Sequence, residues 1–359
     1  MTETLRNKCD LFERNRAAIS KKFVLQKNEM SIAAALMFTS ADREADIEKL
    51  EECRRILNRH TGFFSEYREA VKLVLLSEMS LSDDAERYIV DVKAVYKELH
   101  KGHFKDNSYM VLAAMLICEY GRQGDADRII EKHNEIMKQM EKLHPILTDS
   151  ADISYVILLA MSDRPVDLIL SDINECLDYL KRTCKVRAGS DSIQRLSEIV
   201  ALTEGDFKEK CDKVIKLYDL LQQNKAAIED GYVFSSLGLL TGADEEQEQI
   251  INEILETYEF LKDCKGFGDN SEGKKLRLLF AELLVADSYG AENAMINNAF
   301  INNALSVIKA QQIAAMITVV SNILSVALGA VIDKDNTETD SSDTAQTEQL
   351  STESEEGQE

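Results

Sequence analysis

The most reaction-like string in the chain is Gly268-Asp-Asn-Ser-Glu-Gly273-Lys274-Lys275, close to the phosphate-cradling pattern G-x-x-x-x-G-K-[ST]. In that pattern backbone N–H groups wrap the phosphates, the lysine reaches them, and a hydroxyl ligates Mg²⁺. Lys275 stands where the hydroxyl belongs, and a helix rather than a strand precedes the loop, so the string reads as a helix–helix connection. His100 and His103 have a spacing that could bring two imidazoles together, but Gly102 breaks the helix that would align them. Asp333-x-Asp335-x-Thr337 begins like a calcium loop, yet Glu338 replaces the needed glycine and Thr344 the terminal glutamate. No G-x-S-x-G elbow supplies a nucleophile. The sequence therefore predicts no catalytic residue, no metal site and no cofactor, and the chain reads as a non-enzyme. Tyr96, Tyr218 and Tyr258 share one helical register and are the candidate lining of a peptide groove, with packing between repeats as the competing reading.

These residues need elements to hold them, and the composition limits which. The 359 residues include only 2 prolines and 15 glycines and no Trp, too little punctuation for a β-sandwich. The seven cysteines, at 9, 53, 118, 176, 184, 211 and 264, form no CxxC pair and lie mostly in apolar helical patterns. They read as reduced thiols used as small buried hydrophobes, which points to the cytoplasm. Met1–Asp10 lacks the layout of a secretory signal.

One amphipathic pattern recurs. Its last apolar residue falls at Leu57, Leu99, Met140, Leu180, Leu221 and Leu261, at intervals of 40–42 residues. Seven positions earlier stand Leu50, Val92, His133, Ile173, Val214 and Ile254, on the same helical face. A second set, Leu36, Leu76, Leu116, Ile157, Ile199, Leu239 and Leu279, is spaced by 40–42 residues within denser apolar runs. Those runs read as inner helices buried on more than one side. Short stretches such as Ser82–Asp84 and Gly205–Asp206 precede the amphipathic helices and offer caps, and both prolines avoid every helix interior. The prediction is an all-α protein: an α-solenoid of about seven two-helix repeats with a period near 41, HEAT/armadillo-like, over residues 1–290. Stacking supplies the core, and the product is one elongated domain.

Beyond it, residues 291–332 read as a long apolar C-terminal helix. Ile313–Ile332 carries no charge and is long enough to span a bilayer, so it is either a capping helix or a membrane segment. Residues 333–359, with ten carboxylates and one lysine, read as a disordered acidic tail. The net charge is −22, of which −9 lies in that tail, leaving −13 on residues 1–332. Such a body repels phosphate backbones, so no nucleic-acid partner is expected. The N-terminal cations Arg6, Lys8, Arg14, Arg16, Lys21 and Lys22 are diluted by acids and read as a solvated helix face.

Thr61-Gly-Phe-Phe-Ser65, Phe104–Ala114 and Ala310-Gln-Gln-Ile-Ala-Ala-Met316 carry a family resemblance. The chain resembles an uncharacterised family of all-helical, mostly Gram-positive bacterial proteins filed as a domain of unknown function. That resemblance implies a cytoplasmic bacterial protein and transfers no site residue. The expected role is a helical-repeat scaffold that binds a protein or peptide. The alternative is a membrane-attached adaptor held by Ile313–Ile332, and an enzyme with a site between helices ranks third.

Overall fold

The structure is a computed structural model. It describes residues 1–296 except 25, 27, 63–66, 68–70, 102–107, 149–151, 185–188, 203–204, 227–230 and 244. The charge-free stretch 313–332, the acidic tail, His103 and the Asp333 string lie outside the described residues.

Among these residues the regular elements are all helical. They run α1 (Glu3–Lys22), α2 (Asn28–Ser40), α3 (Ile47–His60), α4 (Lys72–Leu81), α5 (Ala85–Leu99), α6 (Ser108–Glu119) and α7 (Ala126–Leu143). The second half holds α8 (Asp152–Met161), α9 (Val166–Thr183), α10 (Ser190–Ala201), α11 (Phe207–Gln223), α12 (Gly231–Ser236), α13 (Gln247–Lys262) and α14 (Ser271–Ile296). A 3₁₀ turn, Leu237–Leu240, continues α12.

Odd-numbered helices are amphipathic. In α9 the buried residues are Ile169, Leu170, Ile173, Cys176, Leu177 and Leu180, at spacings of one, three and four that trace one stripe. Even-numbered helices are buried all round. Every residue from Tyr109 to Ile117 of α6 and from Met30 to Thr39 of α2 is buried, so these lie inside and the odd ones outside. Ala33–Ala35 and Ala113–Ala114 keep the inner helices slim enough for neighbours on several sides. Both sets of recurring apolar residues are buried, none above 4% exposed. Each such side chain contributes about 2 kcal/mol by leaving water.

Each outer helix packs on the inner helix that follows it, and neighbouring pairs meet outer to outer (α3–α5, α9–α11) and inner to inner (α2–α4, α6–α8, α10–α12). At one such meeting Gly238 has no room for a Cβ, which would sit 2.8 Å from Leu196 Cδ1 and 2.9 Å from Ile199 Cγ2. Aspartates cap the outer helices: Asp46 Oδ1 accepts from Lys49 N–H at 2.9 Å and Asp84 Oδ1 from Arg87 N–H at 3.0 Å. Asp206 Oδ1 accepts from Lys208 and Glu209 N–H. Pro165 is the N-cap of α9, and Pro145 lies in the α7–α8 connection.

An elongated row would leave α1 and α14 far apart. Instead α1 packs against α14, so the row of pairs closes on itself. Phe12 of α1 lies 5.8 Å from the Phe280 ring of α14 and 6.2 Å from Phe267. Thr2 N–H donates to Glu253 of α13 at 3.2 Å, and the Met1 ammonium pairs with Glu256. Asn28, at the start of α2, donates to the Gly266 carbonyl at 2.8 Å. Gly266 holds φ 103°, and a Cβ there would collide with the Asn28 amide. The N-terminal cations also differ from a uniform solvated face. Arg6, Arg14, Lys21 and Lys22 are exposed, but Lys8 and Arg16 are buried. The position expected to separate the repeats from a C-terminal helix, 290/291, falls inside α14, which continues to Ile296.

Candidate functional site

The outer helices carry one charged position per pair. Eight residues before each recurring outer-helix apolar marker stand Lys49, Asp91, Lys132, Asp172, Lys213 and Glu253, and Lys8 occupies the matching place in α1. The lysines share a task. Lys8 Nζ donates to the Thr39 carbonyl at 3.2 Å, Lys49 to Ser82 at 3.1 Å, and Lys132 to Ser162 at 2.7 Å. Lys213 reaches the Thr241 carbonyl at 3.4 Å. Each lysine thus caps the C-terminal end of its own inner helix, where carbonyls lack helical partners and the dipole is negative. Where Asp172 replaces the lysine, Arg164 pairs with it and donates to the Ala201 carbonyl at 2.7 Å, doing the same work from the preceding turn.

The two ends of this series make the closure. Lys8 Nζ lies 2.8 Å from Asp287 Oδ2 on α14 and 2.9 Å from Asp42 Oδ1. Burial alone would lower the Lys8 ammonium, but Asp287 and then Asp42 outweigh it, and its pKa is raised. Glu253, the last member, accepts from Thr2 N–H on one oxygen and from the Tyr289 hydroxyl on the other, at 2.5 Å.

A second polar feature sits on the inner helices of the later pairs. Gln194 of α10 places its amide nitrogen 3.2 Å from Asp152 Oδ2, at the start of α8, and 3.3 Å from Glu198 Oε1, one turn on. Both N–H bonds of that amide are used to hold two carboxylates. Ser236 of α12 donates to Glu282 of α14. Paired carboxylates are the raw material of general acid–base chemistry. Asp152, Gln194, Glu198 and Glu282 are each at most 1% exposed, however, so water and a dissolved substrate do not reach them without helix separation. As placed, they fix how α8, α10, α12 and α14 sit against one another.

The three candidate groove tyrosines do not come together. Tyr96 is buried, edge-on to Tyr67 at 5.2 Å and stacked on His100 at 5.6 Å. Tyr218 is buried edge-on to Phe234 at 5.5 Å. Tyr258 is half-buried beneath the Arg277 guanidinium, 4.8 Å from the ring centre. The Gly268–Lys275 string runs from the end of the α13–α14 connection into the first turn of α14. Asn270 Oδ1 accepts from Gly273 N–H at 2.9 Å, and Arg277 donates to the Gly268 carbonyl at 3.1 Å, so the loop's own residues occupy that helix start. His60 pairs with Glu86, and His144 Nε2 lies 2.8 Å from Asn174 Oδ1. Among the described residues, no three His, Cys, Asp or Glu side chains group to hold a metal, and no helix is long and apolar enough to cross a membrane.

Sequence reasoning passed over both polar features. The charged series was visible as a charge eight residues before every outer-helix marker. The inner cluster was visible as Gln194, Arg195 and Glu198 in a helix whose counterparts α2, α4 and α6 bury no charged side chain among the described residues.

A family model described as "Protein of unknown function (DUF4003)" matches residues 15–313. The chain belongs to the DUF4003 family. No curated protein and no solved structure matches it. The match takes in the described part of this DUF4003 chain from Asn15 of α1 to the end of α14, and so the α14 side of the closure, while Met1, Thr2, Lys8 and Phe12 precede it.

Proposed function

We propose that this chain is a non-enzymatic, cytoplasmic helical-repeat scaffold that binds a protein or peptide. The observation that carries this reading is apolar exposure, greatest at one edge. Every outer-to-inner connection lies on the same rim, because helices alternate in direction along the row. On that rim Val24 is 72% exposed, Leu143 52% and Ile146 92%, around the α1–α2 and α7–α8 connections, while Leu168 at the start of α9 (56%) and Val90 on α5 (47%) are exposed away from it. Large apolar side chains beside an otherwise charged surface favour burial by a partner. The net −13 on residues 1–332 favours a basic or mixed-charge one. The repeat reading of the helix pairs supports the same role, since stacked repeats, here closed end to end, present a continuous face for recognition.

A photo-crosslinking residue at Ile146, expressed in the native host, tests this. A discrete crosslinked protein at Ile146, absent when the same residue replaces the exposed Asp163 on the opposite rim, is the expected result. Equal, diffuse labelling at both positions would remove the rim as a binding edge.

The second reading, a membrane-attached adaptor, is favoured by the charge-free Ile313–Ile332. Carbonate-resistant pelleting of the full chain, lost on truncation after Asn303, would support it. Release of both into the supernatant would end it.

A further inference from the structure

Seven cysteines are described, all with free thiols. Burial pushes Cys9, Cys118 and Cys264 up to about 12 and Cys53 up to about 11, which leaves them inert hydrophobes. Cys184, the C-cap of α9, is half-buried. Cys176 and Cys211 differ from these five. They sit on neighbouring outer helices, α9 and α11, with their Sγ atoms 2.9 Å apart. A disulfide bond is about 2.05 Å long, so closing the gap requires less than about 1 Å of sulfur movement. The helices already pack directly on each other, and neither side chain has to cross another to meet its neighbour.

We propose that Cys176 and Cys211 are a disulfide-forming pair that, on oxidation by hydrogen peroxide, ties α9 to α11. The S···S contact is symmetric, so the chemistry holds equally with the two sulfurs exchanged; with Cys176 attacking, Cys211 resolves.

In the first step the Cys176 thiolate attacks one peroxide oxygen and the O–O bond breaks. The departing hydroxide takes up a proton and leaves as water, and Cys176 becomes a sulfenic acid. In the second step the Cys211 sulfur attacks Cys176, the S–S bond forms and the S–O bond breaks. Hydroxide leaves with the Cys211 proton as a second water. Two thiols lose two electrons, and one peroxide is reduced to two waters. Both sulfurs are fully buried, so the reaction proceeds through local opening of the α9–α11 contact and is slow compared with that of an exposed thiol.

The test uses the reduced full chain, treated with a small excess of hydrogen peroxide and alkylated under denaturing conditions. Its non-reduced proteolytic fragments are then mapped by mass. The expected product is a fragment joining the Cys176 and Cys211 peptides, two hydrogens lighter than their sum and split by dithiothreitol. The crosslink closes a loop spanning the 35 positions between the two residues. It should raise the melting temperature by about 5 °C over the reduced protein. C211S and C176S should each abolish the joined fragment and leave the remaining thiol of the pair as a trappable sulfenic acid. Recovery of both thiols alkylated, oxidation of each to a separate sulfinic acid, or linkage of either to a different cysteine overturns the pairing. A linked product with an unchanged melting temperature overturns the tying of the two helices.

Discussion

The early inner helices, α2, α4 and α6, and the later ones, α8, α10, α12 and α14, do one job with different materials. Among the described residues the early set buries no charged group. Two of its buried hydroxyls bond back to their own helix, Thr39 to the Ala35 carbonyl at 2.8 Å and Ser77 to Leu73 at 2.8 Å. The later set buries Asp152, Gln194, Glu198 and Glu282 and bonds them from helix to helix. Apolar contact is non-directional, so α2, α4 and α6 tolerate small shifts in register at little cost. A buried carboxylate held by a particular amide does not. The later half is thereby tied through buried polar groups along its inner helices, whereas the early half is tied at helix ends, where Lys8 and Lys49 hold the α2 and α4 carbonyls and Asn28 holds Gly266.

The largest effect should come from importing a charge into the apolar half. Leu116 of α6 is 1% exposed, and Leu116→Asp places a carboxylate among apolar neighbours. A loss of about 4 kcal/mol or more, read by urea unfolding, is expected. A midpoint equal to the parent's would show that α6 is not an inner helix.

Next comes the joint between the halves. Lys8→Met strips the buried cation from Asp287 and should cost about 3 kcal/mol. The raised Lys8 pKa means the folded state holds that proton more tightly than the unfolded chain does. Its contribution is complete below the ordinary lysine value of 10.5 and is lost as pH rises through the folded value. The gap in stability between parent and Lys8→Met should therefore narrow above about pH 10.5 and stay constant from pH 6 to 9. A gap that widens with pH would reverse the sign of this coupling.

A smaller change should follow Gln194→Leu, which keeps the volume and removes the amide that donates to Asp152 and Glu198. About 2 kcal/mol is expected, read by thermal melts. The smallest effect tests a shared device rather than either half: Asp84→Ala removes one outer-helix cap and should cost about 1 kcal/mol by the same melts.

The sequence made the helices readable because local periodicity writes them. An apolar side chain every third or fourth position, as from Ile169 to Leu180, needs no knowledge of the partner, and Asp84 and Asp206 announce caps within three residues. The α3 cap is Asp46, while the nearer Asp42 takes φ 52° and turns to Lys8. The closure was not readable, because Lys8 and Asp287 meet across nearly the whole described chain and neither sits in a local pattern that names the other. The thiol pair was hidden for a related reason. Cys176 and Cys211 are 35 residues apart while the outer helices repeat near 41, so their contact depends on the stagger between α9 and α11. Tyr96 and Tyr218 share one register in the sequence, but register alone does not tell a surface lining from a buried edge-to-face pair.

Contact between α1 and α14 turns the string of pairs into a hoop, and a hoop has no cheap place to begin coming apart. In an open array the terminal unit frays because it is gripped on one side only. Here peeling α1 away means giving up Phe12 against Phe280 and Lys8 against Asp287 together with its grip on α2. Amide protons in α1 should then exchange about as slowly as those in α7, and the molecule should let go in one step.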